Sequence, residues 1–326
     1  MRLLSQSFLA LADIRVTKVV MRVEREKIQI PSGHSFRVLR WSRSIRDVEC
    51  VVAPGKMEKI VGEGTRWHFH VEMELTLFTE GNGTRFVGDH IGSFEGGDLV
   101  LLGSRLPHYW HTRGNSGGIS VQWHFPEGHP FWAFPENLPL LELFEHAGRG
   151  LRLSGSTATR VSALLHEMMQ AHGVEQLSLL LRTLALIAGA PEMERTYLSV
   201  RSFTLAAESH YQQAISKAMR HLIANFREQV RLEDVLALTG LSRPTFARQF
   251  KKHSGRTFSE FLNRLRLQAA CRELLESGRS VLEIALGCGF TQVSFFNRLF
   301  RRLQKCSPTE YRARQGQASG KRRAVF

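Results

Sequence analysis

Short apolar runs broken by glycine occupy the first part of the chain. From about residue 22 to 126 they include 36–41 (FRVLRW), 69–78 (FHVEMELTLF), 84–88 (TRFVG), 98–102 (DLVLL) and 119–125 (ISVQWHF). Between them stand 81–83 (GNG), 96–97 (GG) and 114–118 (GNSGG). Runs of this length, with regular turn signals, predict strands of a sandwich or barrel. After residue 150 the period changes. Val161, Leu164, Leu165, Met168 and Met169 recur at helical spacing. The stretch 176–189 (QLSLLLRTLALIAG) is apolar nearly all round, which predicts a helix buried in its own domain or against a second subunit.

Residues 191–210, with Pro191 and several polar side chains, read as a linker. A clean amphipathic stripe follows: Ala214, Ile215, Ala218, Met219, Leu222, Ile223 and Phe226. In 232–252 (LEDVLALTGLSRPTFARQFKK) a short helix reaches Gly240, Ser242 is placed as an N-cap, and a second helix opens at Arg243. Helix, glycine turn and capped helix make a helix-turn-helix. The pattern returns at 281–302 (VLEIALGCGFTQVSFFNRLFRR). Phe246, Arg248 and Phe250 match Phe296, Arg298 and Phe300 fifty residues on. Such a repeat means two copies of one unit, and 258–277 supplies the helix between them.

Charge sharpens this division. Residues 1–210 hold 22 Lys/Arg and 22 Asp/Glu; residues 211–326 hold 22 and 8, so 22 − 8 = +14 and the whole excess lies in the last third. A basic domain behind a neutral one points to a polyanionic partner. Cys50, Cys271, Cys288 and Cys306 show no CxxC spacing and read as buried small hydrophobes in a reducing cytoplasm. No apolar run of about eighteen residues is present, so no membrane span is expected. Residues 1–21 read as a disordered extension and 315–326 as a disordered basic tail.

The second unit (283–302, EIALGCGFTQVSFFNRLFRR), with 307–312 (SPTEYR), resembles the DNA-binding domain of the AraC/XylS family of transcription regulators. The N-terminal half also resembles regulators of this family. Two departures stand out. Lys305 replaces a glycine at a helix C-terminus, where left-handed backbone is expected at a cost of about 1 kcal/mol. Leu236 replaces an alanine, and Pro244 enters the first reading helix at a position that needs no N–H. The resemblance implies a domain over 211–314 whose two reading helices enter adjacent major grooves. Arg243, Pro244, Ala247, Arg248 and Lys251 fall on the first outward face, and Val293, Ser294, Asn297, Arg298 and Arg301 on the second. Arginine reads guanine and asparagine reads adenine, while flanking cations hold phosphate.

In 67–75, His68, His70, Glu72 and Glu74 share one parity, and Trp67, Phe69, Val71, Met73 and Leu75 the other. Gly62, His68, His70, Glu74 and Gly81 match the first motif of the cupin barrel. Gly97 and His108 match part of the second, where Gly103, Arg105 and Thr112 depart from it. The resemblance implies an α+β chain: a cupin-like β-barrel with two or more trailing helices (22–190), then an all-α domain with two helix-turn-helix units. In metal-dependent cupins the residues matching His68, His70, Glu74 and His108 hold one divalent ion, a donor set suited to Fe, Mn, Ni, Cu or Zn. Three readings of these four residues stay open: the wall of an effector pocket, a metal site, or a polar interior without ligand. Trp41, Trp67, Trp110 and Trp123, with Arg37, Arg66 and Arg85, suit a sugar or small organic acid. The expected protein is a homodimeric cytoplasmic activator that binds double-stranded DNA and RNA polymerase. Its small effector acts through the helices at 158–190 and the linker. The alternative is a metal-dependent oxygenase or isomerase with a DNA-binding tail.

Overall fold

The computed structural model describes residues 28–53, 55–61, 64, 66–203 and 211–313. The extension expected at 1–21, the tail at 315–326, residues 204–210 of the expected linker, and Gly62 lie outside these residues.

Nine strands come first: β1 (Phe36–Trp41), β2 (Asp47–Ala53), β3 (Lys56–Val61), β4 (Met73–Glu80), β5 (Asn82–Val87), β6 (His90–Glu95), β7 (Leu99–Leu102), β8 (His108–Thr112) and β9 (Gly117–Trp123). Helix α1 (Leu140–Ala147), strand β10 (Leu151–Leu153), helices α2 (Gly155–Met168) and α3 (Gly173–Ala188), and strand β11 (Arg195–Tyr197) complete this part. The strands form two sheets, ordered β11-β10-β7-β4-β9-β1-β2-β3 and β6-β5-β8. Among the described residues no closed barrel forms, which corrects the expected architecture. The strand expected from Phe69 begins only at Met73. The irregular chain before it makes an isolated bridge between His68 and His108 and accepts the Arg105 N–H at the His70 carbonyl, 2.7 Å. β11 draws residues 195–197 of the expected linker into the large sheet, opposite β10.

Strand alternation gives the large sheet two different faces. Met73, Leu75 and Leu77 on β4, with Ile119, Val121 and Trp123 on β9, are buried in one apolar core with Leu164, Leu165, Leu180 and Leu184 of α2 and α3. The all-round apolar helix is therefore buried in its own domain. The opposite parity, with Arg37, Glu74, Thr76, Ser120 and Gln122, lines a cavity together with His108 and Trp110 of the small sheet.

The remaining helices are α4 (Gln212–Asn225), α5 (Leu232–Thr239), α6 (Arg243–Ser254), α7 (Phe258–Glu276), α8 (Val281–Gly287) and α9 (Val293–Gln304). Gly240, at φ 68°, stops α5, and α6 opens at Arg243. Reciprocal capping boxes start α7 (Thr257 with Glu260) and α8 (Ser280 with Glu283). Phe246, Phe250, Phe296 and Phe300 are all buried, as the fifty-residue repeat requires. All four cysteines are free and buried. Among the described residues no helix is long and apolar enough to cross a membrane.

These helices dock on the outer face of the small sheet. Trp67, Phe86 and Ile91 share one buried cluster with Ile215, Met219 and Phe261. Phe86 stacks on Phe261 at 6.3 Å between centroids. The Arg256 Nε donates to the Asp89 carbonyl at 2.8 Å, and the Arg201 Nη2 to the Lys251 carbonyl at 3.1 Å. Gly255, at φ 71°, closes α6 against Asp89; a Cβ there would stand 2.5 Å from the Asp89 Cβ. The layers thus run helices α1–α3, large sheet, cavity, small sheet, DNA-binding helices.

Lys305 caps α9 in the left-handed region at φ 58°, as the missing glycine predicts. Lys305→Gly should therefore raise the unfolding free energy by about 1 kcal/mol, measured by denaturant titration. An unchanged or lower stability would contradict the assignment of strain to this residue.

Candidate ligand cavity and DNA-reading helices

The cavity is built from three neighbouring strands and one bridge. Register places Glu74 beside Gln122, and Gln122 beside Arg37. Their side chains form one chain of bonds: the Arg37 Nε donates to the Gln122 Oε1 at 2.6 Å, and the Gln122 Nε2 to the Glu74 Oε2 at 2.6 Å. The Thr76 hydroxyl donates to the Glu74 Oε1, and its oxygen lies 2.9 Å from that of Ser120.

The three imidazoles face this carboxylate. Each has its Nδ1 beside a backbone carbonyl: His68 at the Arg66 oxygen (2.6 Å), His70 at the Glu72 oxygen (3.0 Å) and His108 at the Leu106 oxygen (2.8 Å). Carbonyls only accept, so each Nδ1 carries the hydrogen. In the neutral rings this leaves Nε2 as a lone pair. One ligand nitrogen from each ring lies within 4.8 Å of the other two. The His70 Nε2 lies 3.0 Å, and the His108 Nε2 3.8 Å, from the Glu74 Oε2. A bare lone pair facing a carboxylate at 3.0 Å needs a proton or a cation between them. The His108 Nε2 is buried with no hydrogen-bond partner.

Burial, then the charge of His68, holds the His108 imidazole well below its ordinary pKa, so it is neutral and ligand-competent. Burial works against ionised Glu74, but contact with His70, the charges of His108 and His70, and the Thr76 hydrogen bond outweigh it. They hold the carboxyl well below the usual carboxylate range. Three imidazole nitrogens, an ionised oxygen and second hydrogen bonds that fix each ring are what a divalent ion requires. The residues present fit such an ion.

All four residues marked by the cupin pattern are therefore gathered at one point. The aromatic and cationic expectations divide. Trp41, Trp110 and Arg37 line the cavity. Trp67 instead packs toward α4, and Trp123 lies in the core under α1–α3. Arg85 is buried against Asp98, with which it makes an ion pair; Arg66 is absent from the cavity lining. Gln122 escaped sequence reading. Its only signal is a polar residue, like Ser120, in a strand buried along its whole length.

In the other domain, Pro244, Ala247, Arg248 and Lys251 are exposed along α6, while the Arg243 Nη2 lies 2.6 Å from the Glu233 Oε1. On α9, Ser294, Arg298 and Arg301 are exposed and Val293 and Asn297 half-buried. Each set lies opposite its buried phenylalanine pair, on a surface open to a duplex.

Residues 235–314 match the model of a helix-turn-helix domain family. Over 246 residues the chain is 29% identical to the transcriptional activator RhaS of an Enterobacter species, covering 75% of this chain and 86% of the relative. The chain is a DNA-binding transcription regulator, similar to those of the AraC family. Two solved structures match its DNA-binding part. An AraC-type regulator from Chromobacterium violaceum is 30% identical, covering 32% of this chain and 95% of that one, with a TM-score of 0.31. The DNA-binding domain of AdpA in complex with a target DNA is 31% identical, covering 35% of this chain and 98% of that one, also at 0.31.

The exposed cations of these two helices predict a steep salt response. With six phosphates neutralised, affinity for a duplex site selected from random DNA should fall about 10³-fold between 50 and 200 mM salt. Arg298→Ala should cost about 1–3 kcal/mol on that site and relax preference at one base pair, read by competition binding with single-base variants. Equal weakening on every sequence would make Arg298 a phosphate contact.

Proposed function

We propose that this regulator is an activator switched by a small effector, bound in the N-terminal cavity beside a divalent ion held by His68, His70, Glu74 and His108. The ion supplies positive charge and open coordination positions; the protein supplies a partly enclosed space around them, polar beside Glu74 and apolar at Leu39, Ile45, Val48 and Ile60. One observation carries the link to DNA. His68 lines the cavity, and the adjacent Trp67 is buried against the DNA-binding helices. The Trp67 carbonyl accepts from the Ser216 hydroxyl of α4 at 3.3 Å, and its ring stands edge-on to Phe86 at 6.4 Å. A ligand that fixes His68 therefore bears directly on the seat of α4. Helices 158–190 lie on the far side of the large sheet, so this route replaces the one expected through them.

Effector control requires different affinity for two arrangements of the chain. Dimerisation doubles the DNA-binding units on one site and multiplies affinity through effective concentration. Activation involves contact with RNA polymerase, and the reading places the work in the cytoplasm. The activator sense follows the relatives matched, which are named transcriptional activators. The enzyme alternative draws no support from relatives that are regulators.

Elemental analysis of the purified chain should find close to one transition-metal ion per chain, and the His68→Ala/His70→Ala variant should lack it. Saturating the metal-stripped chain with that ion should change affinity for the selected site by about 5- to 150-fold. Trp67→Ala should keep the ion and lose this response. No ion in the wild-type chain overturns the metal reading; an unaltered response in Trp67→Ala overturns the route.

A further inference from the structure

Two unused donors give the cavity a chemical preference. Trp41 and Trp110 are 4% and 3% exposed, and both line the cavity with His68, Glu74 and His108. Their indole Nε1 atoms are both buried without a hydrogen-bond partner. A buried donor left unpaired is costly, and proteins seldom carry two in one place without something to bind them. Both rings pack against Phe78, at 5.1 and 5.8 Å between centroids. Trp110 also stands edge-on to His108 at 5.7 Å. Trp110 therefore borders the imidazole cluster, and Trp41 shares the cavity with it.

With the imidazole Nε2 atoms on the ion of the metal reading above, the amide and carboxylate acceptors of the cavity are already engaged. The Gln122 Oε1 takes the Arg37 Nε–H, and the two Glu74 oxygens take Thr76 and Gln122. What remains is donor-rich. A sugar brings one hydrogen for each hydroxyl oxygen, and every such hydrogen needs an acceptor; a carboxylate only accepts. Size points the same way. The cavity volume is about 50 Å³, small for a pyranose with its hydroxyls. The charge balance rests on the metal reading above. Glu74 opposes Arg37, and a divalent ion makes the site net positive.

We infer that the effector is a small carboxylate, about the size of propionate. Its oxygens accept from the Trp41 and Trp110 Nε1–H groups beside the ion, and its hydrocarbon end meets Leu39, Ile45, Val48 and Ile60. Among the effectors that suited the sequence, this selects the organic acid over the sugar.

Calorimetric titration of the metal-loaded full chain tests this with three probes: propionate, its neutral isostere propionamide, and xylose. Propionate should bind at least about tenfold more tightly than propionamide, the loss expected for a hydrogen bond to a charged group, and xylose should not bind. Trp41→Phe and Trp110→Phe each remove an N–H while keeping an aromatic ring at the site. Each should weaken propionate about tenfold while retaining wild-type metal content and a cooperative thermal transition. Equal binding of propionate and propionamide, preference for xylose, or unchanged affinity in both folded variants overturns the carboxylate. If one tryptophan variant does not fold, the other decides. Loss of the metal reading is seen separately, as an ion-free wild-type chain in the elemental analysis, and overturns the inference with it.

Discussion

The two-residue period of a β-strand is the constraint on which this molecule depends. In the large sheet it separates an oily face, closed by α1–α3, from a polar face that holds Glu74, Thr76, Ser120, Gln122 and Arg37. In the small sheet the same alternation turns Trp110 toward the cavity and Phe86 and Ile91 toward the DNA-binding helices. A one-residue slip of β4 would exchange Glu74 for Met73 or Leu75, emptying the cavity of its carboxylate and burying it under helices. Register is therefore held by both faces at once.

The same constraint explains how a neutral sensor domain and a domain carrying the whole +14 excess come to act together. A single thin sheet separates the cavity from α4 and α7. Ring packing supplies the apolar part of that seam, through Phe86 on Phe261. The Arg256 and Arg201 bonds to backbone carbonyls fix its register at the end of α6. The basic faces of α6 and α9 remain exposed, so docking leaves the reading surface open. Under the proposed function, the first domain then controls the position of the reading units, not their access.

Much of this was legible in the residues. The fifty-residue repeat located both helix-turn-helix units, because inward phenylalanines at i and i+4 and outward cations admit few other readings. The alternation around His68, His70 and Glu74 located the cavity wall. Three things were hidden. Strands β10 and β11 are three residues each, too short for any periodicity to show, and they depend on pairing with β7. Barrel closure depends on backbone hydrogen bonds near 68–72, where alternation continues although regular strand does not. The roles of the tryptophans depend on which side of a sheet each faces. Trp67 and Trp110 look alike in sequence but point to opposite partners.

Hydrogen–deuterium exchange of the full chain, metal-free and metal-loaded, tests most directly whether the cavity speaks to the DNA-binding domain through the small sheet. The account predicts that metal slows exchange in 66–70 and 108–112 and also changes it in α4, while α2 and α3 stay as they were. A change confined to the cavity strands, or one that appears in α2 and α3 without α4, would contradict it.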